Sequence, residues 1–506
     1  MENLEQFCFI PVFFPLLLFI FIVQRTWKKS KPNSSSPMLA PGPMKLPIIG
    51  SMHQLLGSLP HHRLRDLAKK YGPIMHLQLG QVSNIVISSP EAAKEVMKTH
   101  DITFAQRPFL PAASIFMYNF KDIAFAPYGD SWRQLRKICT MELLSTRRVQ
   151  SFRSIREEEV SYLIRSISSS EGSPVNLSRM AFALSNTIIF RTAFGTLREQ
   201  QNQDAFLPLV QKILEMLEGF SVADIFPSLA FLHRISGMRS KLQKVHQEAD
   251  LILENIISEH REKKAGDSKG EEDDIVTVLL NLQDHGDLEF PLTTDSIKAV
   301  MLDLFLAGSE TSSTAIEWAM SEMIKNSRVM EKAQAEVRQV FNEKEKIDET
   351  RFHELKYLKL VVKETLRLHP PAPLLLPREC REAVEISGYE IPINTKVIVN
   401  AWAIGRDPNC WIDAERFYPE RFIDNSIDFK GKDFEFIPFG AGRRICPGIA
   451  YGMAVLELSL ANLLYHFDWK LPNAMGPHHL DMSESYGVTA RRKIGLCLIP
   501  IPYHPC

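Results

Sequence analysis

Apolar residues recur along most of the chain at spacings of three and four, which is the pattern of helices that bury one face. The longest such pattern runs from Ile297 to Ala319. With Thr293 or Thr294 as the N-cap and Asp295 in the first turn, it predicts a helix of about thirty residues, about 45 Å long. A helix of this length would cross a whole domain through its core.

Strand patterns are fewer. Ile74 to Leu79 and Asn84 to Ser88 alternate and are bounded by glycine and proline, which predicts paired strands. Lys396 to Asn400 is a third short apolar, β-branched run. The sequence therefore predicts a mainly α fold with a small β part.

An uncharged apolar run of about 17 residues occupies positions 7–23, and at about 1.5 Å per residue it nearly spans the hydrocarbon core of a bilayer. Pro11 and Pro15 would make it an imperfect helix. Acidic residues precede the run and basic residues follow it, so we expect a retained single-pass anchor with the body of the protein in the cytoplasm. The alternative is a cleaved signal peptide, which needs the basic residues first and an A-x-A-like site afterwards, and neither is present.

These patterns divide the chain into a short lumenal N-terminus (1–6), the anchor (7–23), a linker (24–50) and the body (51–506). The linker is basic and rich in proline and serine, so it would act as a stiff spacer between membrane and body. A second charged run, Arg261 to Asp274, predicts a solvated surface loop. A length of 506 residues by itself suggests about three domains.

Composition excludes several classes of protein. Lys and Arg number 59 against 60 Asp and Glu, for a net charge of -1, which argues against binding of nucleic acid. With 45% hydrophobic and 24% charged residues, the chain is neither disordered nor wholly membrane-embedded. The seven cysteines are scattered and none forms a C-x-x-C pair, so we expect no disulfide framework and no structural zinc site.

Residues 307–312 of the predicted long helix, A-G-S-E-T-S, place a glycine, an acid and a hydroxyl where the periodicity predicts burial. One account is a close helix crossing at Gly308, with Thr311 bonding back to the carbonyl four residues earlier. The other account is a functional site, in which Gly308 makes room for a flat ligand and Glu310 and Thr311 deliver protons to it. The segment alone does not decide between them.

Residues 439–448, F-G-A-G-R-R-I-C-P-G, carry the strongest chemical signal. The glycines allow the backbone to turn and to approach a planar partner closely. Pro447 suits the first position of a following helix, so Cys446 would lie at a positive helix end, where a thiolate is stabilised, and Arg444 adds positive charge. A single thiolate with no neighbouring Cys or His suits a metal whose other ligands come from a macrocycle, such as haem iron. An inert buried cysteine is the alternative, and a dinucleotide loop is excluded because the third glycine is lacking.

These residues resemble the cytochrome P-450 haem-thiolate monooxygenases, and the resemblance covers essentially the whole chain. The family's ligand string F-x-x-G-x-R-x-C-x-G is met by Phe439, Gly442, Arg444, Cys446 and Gly448. The resemblance implies that Cys446 is the axial ligand of the haem iron and that Arg444 binds a haem propionate, with Phe439 and Gly442 beside the cofactor.

Further motifs of the family follow the expected order along the chain. Its E-x-x-R and P-E-R-F strings are met at Glu364, Arg367 and Arg421, which in the family form a buried structural network behind the haem. Its W-x-x-x-R string is met by Trp132 and Arg136. These two residues, and likewise Arg378 downstream of E-x-x-R, resemble residues that bind the propionates.

The acid-alcohol string of the family, A-G-x-[DE]-T-[TS], is met by Ala307, Gly308, Glu310, Thr311 and Ser312. By this resemblance Ala307 and Gly308 contact the haem. Thr311 would hold the reacting oxygen and a hydrogen-bonded water, and Glu310 would help to relay protons.

The resemblance implies one helical haem domain over residues 51–506 instead of three domains, with haem b (iron protoporphyrin IX) as the cofactor. The reaction would insert one oxygen atom of O2 into a C–H bond, or across a double bond, and reduce the other to water. The chain shows no nicotinamide or flavin motif, so electrons would come from NADPH through a separate FAD/FMN reductase, with cytochrome b5 as a second candidate donor. The implied location is the endoplasmic reticulum membrane, in contact with lipid.

Candidate docking charges for the reductase are Arg133, Lys137, Lys432 and Arg443, and ordinary surface charge is the alternative for each. The positions that match the family's substrate-recognition segments are mostly apolar: Phe109, Leu110, Ile115, Phe116, Met117, Val300, Leu304, Leu374, Leu375 and Val488. Such a lining selects by shape and apolar area, and ordinary core is the alternative.

The amino-acid sequences of the motifs are similar to those of the plant microsomal A-type group, in a subfamily rich in terpenoid and alkaloid hydroxylases. We expect an apolar, neutral terpenoid as the substrate. An alkaloid is the chief alternative, with Asp303 as the nearby acid for an amine. Two alternatives of other kinds stay open, namely an oxygen-independent haem-thiolate rearrangement enzyme, against which Glu310 and Thr311 argue, and a non-catalytic haem-binding membrane protein.

Overall fold

The computed structural model describes residues 38–170, 172–195, 199–218, 222–229, 237–265, 274–342, 347–485 and 487–504. Helices account for most of these residues and strands are few and short, which confirms the predicted mainly α fold with a small β part. The predicted lumenal N-terminus, the anchor and most of the linker lie outside the described residues. Within the described part of the chain, no helix combines the length and the apolar character of a membrane span.

The helices of the described residues follow in chain order. The α-helices are α1 (Pro60–Tyr71), α2 (Pro90–Lys94), α3 (Pro111–Phe116), α4 (Asp130–Ile138), α5 (Thr146–Ser151), α6 (Arg153–Ser168), α7 (Leu177–Phe194), α8 (Glu199–Glu218), α9 (Val222–Ile225), α10 (Met238–Ala265), α11 (Ile275–His285), α12 (Thr294–Lys325), α13 (Ser327–Phe341), α14 (Lys356–Leu368), α15 (Ala401–Ile404) and α16 (Ile449–His466). The π-helical turns are Glu95–Thr99 and Cys139–Leu143. The 3-10 segments are Met52–Leu55, Pro227–Leu229, Glu349–Arg351, Pro419–Phe422, Gly442–Arg444, Pro472–Ala474 and Pro477–His479.

The strands form three small sheets. They are β1 (Ile74–Leu79), β2 (Val82–Ile87), β3 (Val175–Asn176), β4 (Arg378–Glu379), β5 (Val384–Ile386), β6 (Tyr389–Ile391), β7 (Lys396–Val399), β8 (Phe467–Lys470) and β9 (Cys497–Pro502). The largest sheet has the order β1-β2-β7-β4, in which β2 and β7 are parallel and the other pairs antiparallel. The others are the antiparallel sheet β3-β9-β8 and the pair β5-β6. The parallel pairing joins early and late parts of the chain.

The predicted strands are present with small shifts. β1 has the predicted bounds, β7 ends one residue early at Val399, and β2 begins at Val82 instead of Asn84. The earlier start follows from the turn before β2, because Gly80 adopts a φ of +56° and already brings Leu79 opposite Val82.

α12 is the predicted long helix. It has 32 residues, and Thr293 is its N-cap because the threonine Oγ1 accepts a hydrogen bond from the N–H of Ser296 at 3.2 Å. Nearly all of its side chains are buried, and it packs against α7, α13, α14 and α16. The helix therefore crosses the fold through its core, as the periodicity predicted.

Two helix boundaries differ from the predictions. α16 begins at Ile449 with Gly448 as its N-cap residue, so Pro447 lies before the helix instead of at its first position. The charged run predicted as a loop is partly helical, since α10 continues to Ala265 and Lys264 on it pairs with Asp284 at 2.6 Å. Charged residues suit an exposed helix face as well as a loop, so their pattern alone did not separate the two.

The helices and the largest sheet surround separate apolar cores. The main core gathers side chains of α6, α7, α12, α14 and α16, and the second lies at the β1-β2-β7-β4 sheet. The segment before Cys446 contributes to both cores, with Phe436 in the first and Ile437 and Ala441 in the second. The cysteine loop is therefore fixed where the helical part meets the sheet.

Candidate active site

The loop before Cys446 is held in one conformation by close packing. Gly440 and Gly442 adopt φ values of +69° and +70°, which favour glycine. A Cβ on Gly442 would lie 2.1 Å from the carbonyl oxygen of Met97, so a larger residue would displace the backbone. The N–H of Cys446 donates to the carbonyl of Phe439 at 3.0 Å and closes the loop.

Cys446 lies just before α16, and the residue is only partly buried. Burial raises the pKa of this thiol, while the N–H of Gly448 and the guanidinium of Arg136 act in the opposite direction. Cys139 differs, because it is 0% exposed and burial raises its pKa to about 12. The position of Cys446 at a helix N-terminus suits a thiolate ligand better than an inert core cysteine.

Arg444 is held beside the loop by backbone carbonyls and an aromatic ring. Its guanidinium donates to the carbonyls of Ala105, Ile123 and Ala126 at 2.8, 3.1 and 2.6 Å. Its central carbon lies 4.1 Å from the ring centroid of Trp132, whose indole N–H donates to the same Ile123 carbonyl at 3.0 Å. Burial lowers the pKa of Arg444 to about 9.

Arg136 and Arg378 reach the same loop from other elements. Arg136 on α4 donates to the carbonyl of Ile445. Arg378 on β4 donates to the carbonyl of Ala441 at 2.8 Å and lies 3.3 Å from a carboxylate oxygen of Asp101. Burial lowers the pKa of both guanidiniums.

Arg107 lies near Arg136, Arg378 and Arg444, although no motif in the sequence marked it. It is buried and donates to the carbonyls of Ala124, Leu376 and Pro377 at 2.8, 2.8 and 2.7 Å. Burial, and then the charges of the neighbouring arginines, hold its pKa far below the ordinary value. A charge in an otherwise apolar stretch was the only signal in the sequence, since no motif spacing marks it.

Arg107, Arg136, Arg378 and Arg444 together form a buried arginine cluster. Among the described residues, Asp101 is the one carboxylate in ion-pair contact with a member. Buried cations are costly unless anions lie close to them. The two propionates of a haem would supply this missing negative charge, so the arginine cluster fits the acidic edge of that cofactor.

The middle of α12 leaves one strip of surface uncovered. Ala307, Gly308 and Thr311 keep exposed area, while every other residue from Ser296 to Ile324 is buried. A uniformly buried core helix would show no such strip, and its small side chains fit the flat face of a macrocycle.

The structure supports only part of the interpretation that Gly308 marks a close helix crossing. A Cβ on Gly308 would lie 3.5 Å from Ile189 on α7, an ordinary contact, so helix packing does not require a glycine there. The hydroxyl of Thr311 does bond back, donating to the carbonyl of Ala307 at 2.6 Å. That bond leaves the lone pairs of the Thr311 oxygen able to accept from a water.

Glu310 is buried and pairs with a residue that the sequence analysis did not select. Its Oε1 lies 3.0 Å from the Nε of Arg491, and its Oε2 has no hydrogen-bond partner among the described residues. Arg491 follows Val488 in a run of three basic residues, 491–493, and their sequence gives no reason to prefer one.

Glu364, Arg367 and Arg421 lie together in the network that the resemblance implied. Arg367 donates to both carboxylate oxygens of Glu364 at 2.7 and 2.8 Å, and the Nε of Arg421 lies 3.0 Å from Glu364. The side chains of Glu364 and Arg367 are both 0% exposed. Arg367 also donates to the carbonyls of Gly405 and Ala414, so the network ties α14 to the chain that follows α15.

The predicted substrate-pocket residues fall into three groups. Leu110, Ile115, Leu374 and Leu375 are partly buried, and a Cβ on Gly440 would lie 3.7 Å from Leu375, which places this leucine beside the cysteine loop. Leu304 is nearly buried, whereas Phe109 and Val488 are exposed. Phe116, Met117 and Val300 are each 0% exposed in the main core, and their place in a substrate pocket stays a prediction.

Asp303 is not available to a basic substrate. Its carboxylate accepts from the N–H groups of Ile123 and Ala124 at 2.7 and 3.3 Å, and only 5% of the residue is exposed. Burial and the nearby Asp122 raise its pKa well above the ordinary value. An enclosed acid that resists ionisation does not provide the charge that an ammonium group needs.

The cytochrome P-450 family model matches residues 40–498. The chain belongs to the cytochrome P-450 family. The haem cofactor of that family fits the residues present, because the thiol of Cys446, the arginine cluster and the uncovered strip on α12 provide a ligand, charge partners and a flat contact.

Two plant relatives match over nearly the full length. Premnaspirodiene oxygenase of Hyoscyamus muticus is 54% identical over 99% of each chain, and tabersonine 16-hydroxylase 2 of Catharanthus roseus is 53% identical over 97% of each. Kinship at this level makes the present cytochrome P-450 a monooxygenase. A zebra fish cytochrome P-450 with progesterone, 24% identical, aligns with a TM-score of 0.76 over 88% of this chain and 100% of that chain, which shows the fold.

Proposed function

We propose that this cytochrome P-450 hydroxylates or epoxidises an apolar plant terpenoid, with an alkaloid as the alternative substrate class. One observation carries the proposal: Cys446, the buried arginine cluster and the uncovered strip of α12 belong to one packed unit. Cys446 lies just before α16, on which α12 packs, and Arg378 and Arg136 donate to the carbonyls of Ala441 and Ile445 in the loop that carries Arg444. When bound, the haem supplies the activation of O2 for insertion into a C–H bond.

The chain's own residues would hold the cofactor. Cys446 would ligate the iron, and Arg444, Arg378, Arg136 and Trp132 would bind the propionates. Phe439, Gly442, Ala307 and Gly308 would lie against the macrocycle. The buried guanidiniums support this assignment, because anions at the arginine cluster would offset their desolvation.

Protons would reach the reaction through Thr311 and Glu310. The hydroxyl of Thr311 lies on the uncovered strip, where its oxygen can accept a hydrogen bond from a water and hold that water in place. Glu310 is the neighbouring acid, and its unpartnered Oε2 can exchange a proton with such a water. Arg491 would keep this carboxylate oriented.

The apolar, partly buried leucines at positions 110, 374 and 375, together with the buried Leu304, favour a neutral substrate that is selected by shape. The enclosure of Asp303 removes the acid that an amine would need. The relative named premnaspirodiene oxygenase supports the terpenoid class, and the relative named tabersonine 16-hydroxylase 2 keeps the alkaloid class as the alternative.

Electrons would come from NADPH through a membrane-bound FAD/FMN reductase, with cytochrome b5 as a second candidate donor. Residues 7–23 would anchor the chain in the membrane of the endoplasmic reticulum. Lys137 and Lys432 are exposed, whereas Arg443 pairs with Asp101 at 3.1 Å and Arg133 pairs with Asp130. The two lysines are therefore the stronger docking candidates. Carbonate extraction of microsomes that contain the full chain or a chain lacking residues 1–23 tests the anchor.

The experiment is expression of the full chain with a plant NADPH reductase in yeast microsomes. The carbon monoxide difference spectrum reports thiolate ligation. Panels of terpenoid hydrocarbons and of alkaloids, incubated with and without NADPH, are then screened by mass spectrometry. We expect a thiolate-type spectrum and an NADPH-dependent terpenoid product with one added oxygen atom.

Matched variants separate the alternatives. Cys446→Ser should lose the thiolate-type spectrum and all turnover, while Cys410→Ser, at an exposed cysteine, should lose neither. Conversion of a hydroperoxide without O2 and NADPH would indicate the rearrangement enzyme instead. A thiolate-type spectrum with no turnover of either panel would overturn the proposed substrate classes.

A further inference from the structure

A second cluster of metal-ligating side chains lies where α1 packs against the C-terminal segment (residues 481–485 and 487–496). The Nε2 atoms of His61 and His62 lie 2.6 and 2.9 Å from the same carboxylate oxygen of Glu484. The ligand atoms of these three residues all lie within 4.8 Å of one another. The side chains of His61 and Glu484 are only 5% and 6% exposed.

His369, directly after α14, adds a fourth ligand atom. Its Nε2 lies 2.8 Å from Oε1 of Glu322, and the indole of Trp318 stacks on its ring at 4.0 Å. Because Nε2 faces the carboxylate of Glu322, the other ring nitrogen, Nδ1, is the atom left to bind a further partner.

That Nδ1 atom faces a negative charge. It is buried, has no hydrogen-bond partner among the described residues, and lies 3.8 Å from Oε1 of Glu484. The His369 side chain is 8% exposed, so bulk water does not separate the two groups. A metal ion between this nitrogen and the carboxylate would give both of them a partner.

We propose that His61, His62, His369 and Glu484 bind a divalent transition-metal ion of the zinc class. Three imidazole nitrogens and one carboxylate oxygen are ligands that Zn²⁺ accepts, in the number that a tetrahedral site needs. With bonds of about 2.0 to 2.1 Å, tetrahedral ligand atoms lie about 3.3 Å apart. The separations of 2.6 and 2.9 Å at one Glu484 oxygen are shorter than that value, and the 3.8 Å between His369 and the other oxygen is longer. His369 lies outside the group of ligand atoms that are all within 4.8 Å of one another, so its ring would have to move towards the ion to complete the site.

The surroundings also resemble a metal site. The pairing of Glu322 with the outer nitrogen of His369 is the carboxylate–histidine contact that orients metal-bound imidazoles. Trp402 stacks on His62 at 4.3 Å and limits the rotation of its ring. These contacts hold two of the ligands in place before an ion arrives.

A cavity of about 390 Å³ gives the cluster a path to solvent. Its lining includes His62, His369, Trp402, Arg406 and Glu484. Arg65 and Arg406 are the cations that line this cavity, and they pair with Glu415 at 3.3 and 3.1 Å. Because these two charges oppose a metal ion, we expect weaker binding than at a fully enclosed structural zinc site.

An ion at this position would join three parts of the chain that are distant in sequence, namely α1, the end of α14 and the C-terminal segment. Glu484 also pairs with Arg492 in a β-bridge, and the N–H of Ser485 donates to the carbonyl of Arg491 at 2.7 Å. Binding should therefore stabilise the fold and fix the segment that carries Arg491. This inference does not depend on the substrate proposed above.

The test uses tag-free, haem-loaded full chain that has been stripped with a chelator at pH 7.5. Isothermal titration with Zn²⁺, and zinc content after dialysis measured against haem iron, should give one ion per haem, and the melting temperature should rise with zinc. His61→Gln and Glu484→Gln should each weaken binding by more than tenfold. Glu322→Gln should weaken it about tenfold, because it removes only the outer contact of a ligand.

Two controls keep the test decisive. His478→Gln/His479→Gln removes an exposed pair of neighbouring histidines elsewhere and should leave the affinity unchanged. If Glu484→Gln loses its haem spectrum, His62→Gln, whose side chain is 32% exposed, replaces it. Zinc-edge X-ray absorption should show only nitrogen and oxygen ligands at about 2.0 to 2.1 Å.

The proposal is overturned if the wild type shows no saturable binding at 100 µM Zn²⁺. It is equally overturned if the cluster variants bind zinc as tightly as the wild type. A sulfur ligand at about 2.3 Å in the absorption spectrum would assign the ion to a cysteine and would also overturn it.

Discussion

Arg491 and Glu310 form an ion pair between the C-terminal segment and the middle of α12, with Nε 3.0 Å from Oε1. The carboxylate side chain is 2% exposed and the arginine side chain is 39% exposed, so the pair connects a buried acid to a residue that reaches solvent. The other carboxylate oxygen of Glu310 has no partner among the described residues. Arg491 is therefore a positioning residue for the acid beside Thr311.

Replacement of Arg491 should impair proton delivery more than binding. Arg491→Gln removes the charge that compensates Glu310, so we expect the product formed per NADPH to fall at least twofold, with peroxide rising in proportion. The haem spectrum and the substrate affinity should stay unchanged. Product, NADPH and peroxide are measured in the same reaction. Arg491→Lys should recover part of the coupling. Lys493→Gln, at an exposed neighbour, should have no effect. Equal coupling in Arg491→Gln and wild type would refute the positioning role of Arg491.

Thr311→Ala should divert electrons into peroxide while haem and substrate still bind. The variant removes the hydroxyl on the uncovered strip and keeps the small side chain, so the fold loses only one bond to the carbonyl of Ala307. Thr311→Ser, which restores the hydroxyl, should return most of the coupling. The measurement is the ratio of product to consumed NADPH, and a ratio equal to that of the wild type in Thr311→Ala would contradict the proposed role.

Sequence patterns sufficed where the fold is determined locally or by a motif with fixed spacing. α12 could be predicted because apolar spacing and an N-cap threonine both lie within the helix. The meeting of Glu364 with Arg367 follows from one helix face, and only the family resemblance added Arg421. The start of α16 could not be placed, because Pro447 permits a helix without requiring one.

The rest depends on contacts between distant segments. Arg107 and Arg491 acquire their surroundings from residues far away in the chain, which no local spacing reveals. Phe116, Met117 and Val300 look like any apolar lining in sequence, and their complete enclosure appears only once the helices are packed. Sequence motifs therefore single out candidate residues for the chemistry, whereas the enclosure of a side chain requires the packed structure.

Removal of one partner from the buried network behind the site should be severely destabilising. Arg367→Met leaves Glu364 without its main cation and leaves the carbonyls of Gly405 and Ala414 without a donor, which should cost about 3–5 kcal/mol. We expect little haem-loaded protein to accumulate. The measurement is the yield of haem-loaded protein together with thermal unfolding.

An exposed ion pair provides the matched control for that variant. Lys264 and Asp284 pair at 2.6 Å with side chains 44% and 58% exposed, so Lys264→Met should leave yield and melting temperature unchanged. Similar behaviour of Arg367→Met and Lys264→Met would show that the buried network is not needed for the fold.

A buried pair of acids beside the arginine cluster should make stability depend on pH. Burial raises the pKa of Asp122 from 3.8 to about 6, and it also raises the pKa of the adjacent Asp303. The folded chain therefore holds these protons more tightly than the unfolded chain. The stability that Asp122 contributes is complete below pH 3.8 and is lost as the pH rises through about 6.

Asp122→Asn removes this titration. The Asp122 carboxylate accepts a hydrogen bond from the N–H of Phe125 at 2.7 Å, and the side-chain oxygen of the asparagine can still accept it. The variant should be more stable than the wild type at pH 7.5, and the difference should shrink as the pH is lowered towards 4.5, because the wild-type acid then becomes protonated too. Urea unfolding at a series of pH values measures the free energy of unfolding of the variant and of the wild type. Asp287→Asn, at an exposed acid, should follow the wild-type curve, and an Asp122→Asn curve parallel to the wild type at every pH would show that the buried pair does not control stability.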